Sequence, residues 1–376
     1  MVATVSRGFD EDGSARAEVL RCAREASPEV RRAIARAVRL RGDPALSEAL
    51  HALVPGAGAE LRRELARAFG AVRDEGAVPV LIEWLGPRGS RAEAREALVA
   101  IGEPARDALI AALRDGALPR QVRGHLPRTL SRFGDRSSAE ALFERLDAEQ
   151  DGWVRYKILR ALRALRDALP DLRFDDRRHA HTRRALTRAA HVLSWRVSLR
   201  KAHAADPALR TRGGELLEPV LKEKEEQALD RAVRLVALDP AFSGVRGLTQ
   251  ALASDDRRLR AESAELLSSL AHPSVGPALA AMIDDGADEA RLAEVLSHLR
   301  EPAPRAVEYV ELLRALIEDE SDAVRSIAAH HVGELGLTEL ADVLARVRDR
   351  DGSALAALVV SHALERLREA KRVRHG

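Results

Sequence analysis

Residues 319–336 read DESDAVRSIAAHHVGELG, with two adjacent histidines, His330 and His331, inside a helical pattern. The stretch has relatives throughout the chain. They are EVRRAIARAVRL (29–40), ELRRELARAFGAV (60–72), SRAEAREALVAIG (90–102), QVRGHLPRTLSRFG (121–134), WVRYKILRALRAL (153–165) and RLRAESAELLSSL (258–270). Count the residue before the shared arginine as position 0. Apolar residues then fall at 0, 3 or 4, 7 or 8, and 11, as in Val154, Ile158, Ala161, Leu162 and Leu165, or Leu61, Leu65, Ala68, Phe69 and Val72. That spacing makes one helical face about three turns long.

The arginine at position 1 recurs as Arg31, Arg62, Arg91, Arg123, Arg155, Arg260 and Arg325, with first steps of 31, 29, 32 and 32 residues. A shorter apolar helix precedes most copies, as in VPVLIEWL, ARDALIAAL, SAEALFERL, VGPALAAMI and AVEYVELLRALI, and Pro, Gly and Asp mark the joints. Each unit is therefore a helical hairpin. Alone it cannot cover its apolar face, so the units must stack.

Composition agrees. Of 376 residues 46% are apolar but only 3% aromatic, and Ala, Leu, Arg and Glu dominate, which favours helix. The single cysteine, Cys22, forbids an internal disulfide and suits a reducing, cytoplasmic setting. No segment has signal-peptide or membrane-spanning character. The net charge of +2 hides a split. Residues 1–212 carry 40 Lys+Arg against 29 Asp+Glu, and residues 213–376 carry 21 against 30. The first part attracts polyanions, unless the asymmetry is only drift on solvated faces.

On Asp322-Ala323-Val324-Arg325 and Gly333, the position-1 arginines, and Gly70, Gly102 and Gly134, the unit resembles HEAT repeats of the short bacterial, phycobilisome-lyase-like kind. The resemblance covers roughly 27–166 and 214–366. It implies an all-α, right-handed α-solenoid whose second helices line the concave side. It also implies that each position-1 arginine pairs with an acid of a neighbouring repeat. The pattern weakens at 288–299, where Glu289 replaces the arginine, and at 352–367, where Ala357 does.

Between Arg155 and Arg260 the signature lapses. DDRRHAHTRRALTRAAHVLSWRVSLRKAH (175–203) has no Pro or Gly, starts on a capping Asp175-Asp176 pair and predicts about eight turns of basic helix. Arg177, Arg178, Arg184, Arg188, Trp195 and Arg196 are its candidate binding residues. A second helix over 215–238 makes this an inserted hairpin or two eccentric repeats. The expected organisation is a lead-in helix (1–26), basic repeats (27–166), the insert (167–240), acidic repeats (241–366) and a polar tail (367–376). Over about 118–270 the order of elements also resembles the soluble HEAT region joined, in some bacterial proteins, to a nucleotide-translocase-like major-facilitator membrane domain. That implies an interaction or regulatory module able to associate with a membrane protein, either standing alone or part of a longer chain.

Little points to catalysis, and no cofactor or metal is expected. None of the twelve histidines is followed by Glu, as iron-binding HEAT proteins require. His330 and His331 diverge by about 100° on a helix, His179 and His181 diverge too, and no histidine pair is spaced i,i+4. There is no strand followed by a phosphate loop. Cys22 has no evident base, and its thiol is expected to be inert. Asp151, Trp153 and Tyr156 are better explained as a cap with packing residues than as a glycosylase-like site.

Position 6 of the second helices faces outward and reads Arg36, Arg67, Glu96, Arg128, Arg160, Glu265 and His330. Position 2 adds Arg32, Arg63 and Tyr156. With hairpins stacked about every 10 Å, these make an arginine stripe. It suits an acidic protein segment; a nucleic-acid backbone or an anionic lipid surface is the alternative. The side chains are otherwise solvated or locally paired. Few aromatics accompany them, which disfavours single-strand stacking. His331 falls at position 7, where other copies have alanine, and must find a hydrogen-bond partner.

Overall fold

A computed structural model describes residues 20–21, 26–174, 177–239, 251, 254, 256–302, 308–350 and 354–375. Most of the lead-in, Cys22 and the Asp175-Asp176 cap lie outside these residues, as does the side chain of Arg177. Every regular element among the described residues is helical. None is long and apolar enough to cross a membrane.

The chain divides into two compact units, Met1–Leu172 and Arg173–Gly376. In the first, the helices are α1 (Pro28–Arg41), α2 (Ser47–Ala52), α3 (Ala59–Val72), α4 (Val78–Glu83), α5 (Arg91–Ile101), α6 (Glu103–Arg114), α7 (Arg120–Arg123), α8 (Leu126–Leu130), α9 (Arg136–Ala148) and α10 (Gly152–Ala168). They are the hairpins that the periodicity predicts. The second helices pack in series, α1 on α3, α3 on α5, α5 on α8 and α8 on α10, and the first helices back them. Leu65, Phe69, Leu98, Leu126, Ile158 and Leu162 are fully enclosed between them. Each such side chain contributes about 1.5–3 kcal/mol.

One second helix departs from the pattern. QVRGHLPRTLSRFG is broken into α7 and α8. Pro127 has no N–H for the Arg123 carbonyl. Gly124 lies so close to the Trp153 ring that a Cβ there would fall 1.8 Å from its Cζ3. The break lets the backbone yield to the indole.

The second unit holds α11 (Arg177–Ala205), α12 (Arg212–Val236), α13 (Arg257–Leu270), α14 (Gly276–Ile283), α15 (Asp288–Leu299), α16 (Tyr309–Ile317), α17 (Asp322–Leu335), α18 (Ala341–Arg350) and α19 (Ala354–His375). The long helices α11 and α12 pair along their length, and α12 packs on α17. Val192, Leu199, Leu217 and Leu221 share one core with Leu313, Leu316, Val324 and Val332. The long hairpin is thus part of the core of the later repeats.

The position-1 arginines tie turns together, largely through backbone. Arg91 Nε donates to the Leu85 carbonyl at 2.7 Å and Arg325 Nη1 to that of Asp319 at 2.9 Å. Arg155 and Arg260 reach the carbonyls of Glu149 and Ser254 in the same way. In all four the acceptor lies six residues back, where helix ends leave carbonyls unsatisfied. Arg31 instead bonds the Leu53 and Pro55 carbonyls at 2.8 and 2.9 Å. An acid of the following hairpin is the partner of Arg123 (Glu149, 3.0 Å) and a second partner of Arg260 (Asp285). Arg62 makes no side-chain hydrogen bond or ion pair among the described residues. At 288–299, Arg291 fills the vacant role, binding Glu225 at 2.8 Å and Asp288 at 3.0 Å.

Candidate functional site

Position 6 faces solvent in both units. Arg36, Arg67, Glu96, Arg128, Arg160 and Glu265 are exposed and His330 is half-buried. The cations of the stripe are not equivalent. Arg67 is held by Glu64 at 2.8 Å and Glu93 at 3.0 Å. Arg32 pairs with Glu60, and Arg63 sits 4.0 Å from the same carboxylate. Arg36 and Arg128 make no hydrogen bond or ion pair through their side chains among the described residues. Arg160 lies over the Tyr156 ring, 5.8 Å from its centroid.

The sharpest departure lies one position inward. Position 5 is buried in every copy, and the other six hold Ala35, Ala66, Pro127, Leu159, Ala264 and Ala329. In α5 the residue is Arg95. Only 6% of it is exposed, its Nε has no hydrogen-bond partner, and its side chain makes no ion pair among the described residues. Burial, then the charges of Arg128 and Arg91, lower its pKa to about 10. It therefore remains a cation at neutral pH. Glu96 offsets this in part but is itself paired with Arg132 at 3.2 Å. A charge with so little exposure and no partner is costly, and packing gives no reason for it.

His125, at the α7–α8 break, stands beside it. Its ring meets Trp153 edge-on with centroids 5.9 Å apart. Burial, then Arg91, Arg95, Lys157 and Arg128, push its pKa down to about 4. The imidazole is neutral at physiological pH, a polar group among cations. Lys157 Nζ lies 5.3 Å from the Trp153 ring and 5.7 Å from that of Tyr156, and Arg120 covers Trp153 at 5.1 Å. These stacked cations are attracted to the ring faces.

Asp151 is the N-cap of α10 and accepts from the N–H groups of Trp153 (2.9 Å) and Val154 (3.2 Å). Burial alone would raise its carboxyl, but Arg120 and those N–H groups outweigh it and hold the pKa below the usual value. Its Oδ1 is committed to capping and its Oδ2 to Arg120. Sequence columns 2 and 6 lead to Arg128, Arg160 and Tyr156. Arg95, His125 and Lys157 are added by the structure, and the signal for Arg95 is its charge in an apolar column.

Three of the candidate arginines of α11 have acidic partners within the second unit. Arg178 binds the Val236 carbonyl at 3.2 Å and Asp239 at 2.7 Å. Arg188 pairs with Asp319 and lies over Trp195 at 5.0 Å. Arg196 pairs with Glu225 and with Asp288 at 3.0 Å. Arg184 is exposed. A cleft of about 670 Å³ borders Arg196, Glu225, Asp288 and Arg291, whose charges satisfy one another. His179 stacks on His272 with centroids 4.2 Å apart, and no set of three metal-ligating side chains converges among the described residues.

Residues 87–163 match the family model described as HEAT repeats. The matched segment runs from just before α5 into α10 and contains Arg95, His125, Arg128, Lys157 and Arg160. No curated protein matches the chain significantly.

Proposed function

We propose that the chain is a non-enzymatic scaffold of stacked helical hairpins that holds a partner protein by an acidic segment. The segment lies along the exposed face of α1, α3, α5, α8 and α10. One observation carries this: among the described residues Arg36, Arg95 and Arg128 lack carboxylate partners, while Arg160 and Lys157 rest on aromatic rings. Cations left without counter-ions along one face attract an extended polyanion and speed its encounter. A row of five second helices about 10 Å apart spans about 40 Å, which roughly 12–15 residues of extended chain cover. Arg178, Arg188 and Arg196 of α11 are left out of the binding face, because Asp239, Asp319, Glu225 and Asp288 already neutralise them.

The test is fluorescence anisotropy with a labelled Asp/Glu-rich peptide of that length. Wild type binds it with an affinity that falls as salt rises. Arg36→Glu, Arg128→Glu and Arg160→Glu together reduce binding at least tenfold while helicity is unchanged. Random-sequence duplex DNA is the comparison arm. Tight binding of the duplex with none of the peptide would replace the acidic segment with a nucleic-acid backbone.

A further inference from the structure

We infer that Arg95 and Arg128 form an oxyanion-binding site for a phosphate monoester, carried by the partner segment as a phosphorylated residue. The inference rests on the acidic-segment function proposed above and names the group that anchors it.

Four observations converge. First, Arg95 occupies a register position that six other repeats fill with Ala, Leu or Pro, so its charge serves no packing need. Second, the residue is more than nine-tenths buried and its guanidinium makes no hydrogen bond or ion pair among the described residues, which leaves the donors of a planar fork unused. Third, Arg128, on the short helix α8 beside Pro127, is exposed and also without a partner among the described residues. α8, which carries it, packs on α5, which carries Arg95, and its charge acts on that of Arg95. Fourth, the surrounding charge is one-sided. Arg91 donates to the carbonyls of Leu85 and Gly86 and is not neutralised by an acid there. Lys157 is held on aromatic faces. The nearby carboxylate, Glu96, is shared with Arg132.

A single carboxylate would leave most of this charge uncompensated. A phosphate monoester brings nearly two negative charges and three acceptor oxygens, enough to engage both guanidinium forks. A duplex backbone offers phosphodiesters with one charge each, spaced along the strand, and fits one buried fork less well. His125, neutral beside Trp153, adds a ring nitrogen to the same surroundings.

The experiment uses the full chain and three probes: inorganic phosphate, an Asp/Glu-rich peptide with a central phosphoserine, and the same peptide with serine. Binding is measured by calorimetry for wild type, Arg95→Met and Arg128→Gln. Wild type is expected to bind the phosphopeptide at least tenfold more tightly than the serine peptide. Arg95→Met is expected to abolish that preference, and Arg128→Gln to reduce it severalfold. Without ligand, Arg95→Met melts at the same or a higher temperature than wild type, because an unpaired buried charge is gone. If that variant fails to fold, the surface substitution Arg128→Gln decides alone. Equal binding of the two peptides by wild type overturns the phosphate site and leaves the acidic-segment scaffold standing. Failure of wild type to bind either peptide overturns the scaffold. Phosphate binding that is the same in all three proteins shows an adventitious ion and also overturns the site.

Discussion

The hydroxyl of Tyr309 lies 2.7 Å from Nε2 of His331, whose imidazole has no exposed surface. The other ring nitrogen, Nδ1, is 2.7 Å from the Thr211 hydroxyl, which in turn donates to Glu334. His203 meets the same Tyr309 hydroxyl at 3.2 Å. The adjacent His330 does something else: half-buried, it sits 3.3 Å from the second oxygen of Glu334. The two histidines of the 319–336 stretch are therefore not one site. His331 joins α12, α16 and α17, and His330 caps the edge of that network.

This arrangement makes the second unit acid-sensitive. Burial, outweighing the pull of Glu334 and helped by His203 and His330, lowers the His331 pKa from 6.5 to about 4. The unfolded chain takes up that proton near pH 6.5, and the folded one resists until about pH 4. Stability is therefore complete above pH 6.5 and declines as pH falls toward 4, by on the order of 3 kcal/mol. Urea unfolding at pH 7.5 and 5 should show the loss. His331→Leu should flatten the slope yet cost about 1–3 kcal/mol at pH 7.5, because Thr211 and Tyr309 lose a partner.

Gly213 and Gly214 allow α12 to approach α17 this closely. A Cβ on Gly213 would fall 2.8 Å from Glu334 Oε2 and 3.0 Å from the His331 Cα. Gly213→Ala should destabilise the second unit by about 1–3 kcal/mol through overpacking. Gly116→Ala, where a Cβ meets nothing within 4 Å, is the control and should be near neutral. Equal chemical-denaturation midpoints for the two variants would contradict the close approach.

Glu225 is nearly buried between Arg196 and Arg291, which also share Asp288. Glu225→Gln removes one of the two carboxylates, and the more deeply buried one, set between the guanidinium groups of Arg196 and Arg291 on different helices. The expected cost is about 3–5 kcal/mol, the range for breaking a buried pair. Glu262→Gln, at the exposed pair with Arg258, should cost under about 1 kcal/mol. Thermal melts of both variants give the comparison.

How far the sequence reveals these features depends on distance along the chain. The hairpins follow from a 3.6-residue period that each helix carries by itself, which is why Ala59–Val72 and Asp322–Leu335 are legible without structure. The break at Gly124 is marked by Pro127, but the indole that requires it lies 29 residues on. The absorption of α11 into the second core is not legible, because Arg188 and Asp319 meet across 131 residues without any local pattern. His331 declares its need for a hydrogen-bond partner by its position. Tyr309 and Thr211 are supplied only by the fold. Arg95 is the opposite case, since a charge in a column of buried apolar residues is visible in the repeat alignment itself.

His125 reports on the charge around Arg95. Its pKa is near 4 because burial, and then the cations Arg91, Arg95, Lys157 and Arg128, all oppose protonation. Trp153 adds the edge of a ring and no charge. Removing one cation must therefore raise the midpoint, so Arg95→Met should shift the His125 titration upward, as followed by NMR of labelled histidine. A bound anion acts in the same direction by favouring the imidazolium, so inorganic phosphate should raise the midpoint in wild type and do so less in Arg95→Met. The linkage has a consequence for stability. In the free protein the N-terminal unit, like the C-terminal one, loses stability as pH falls from about 6.5 toward 4. Phosphate should make that loss shallower. A His125 midpoint that moves with neither the substitution nor the anion would place Arg95 out of electrostatic reach and remove the basis for a shared site.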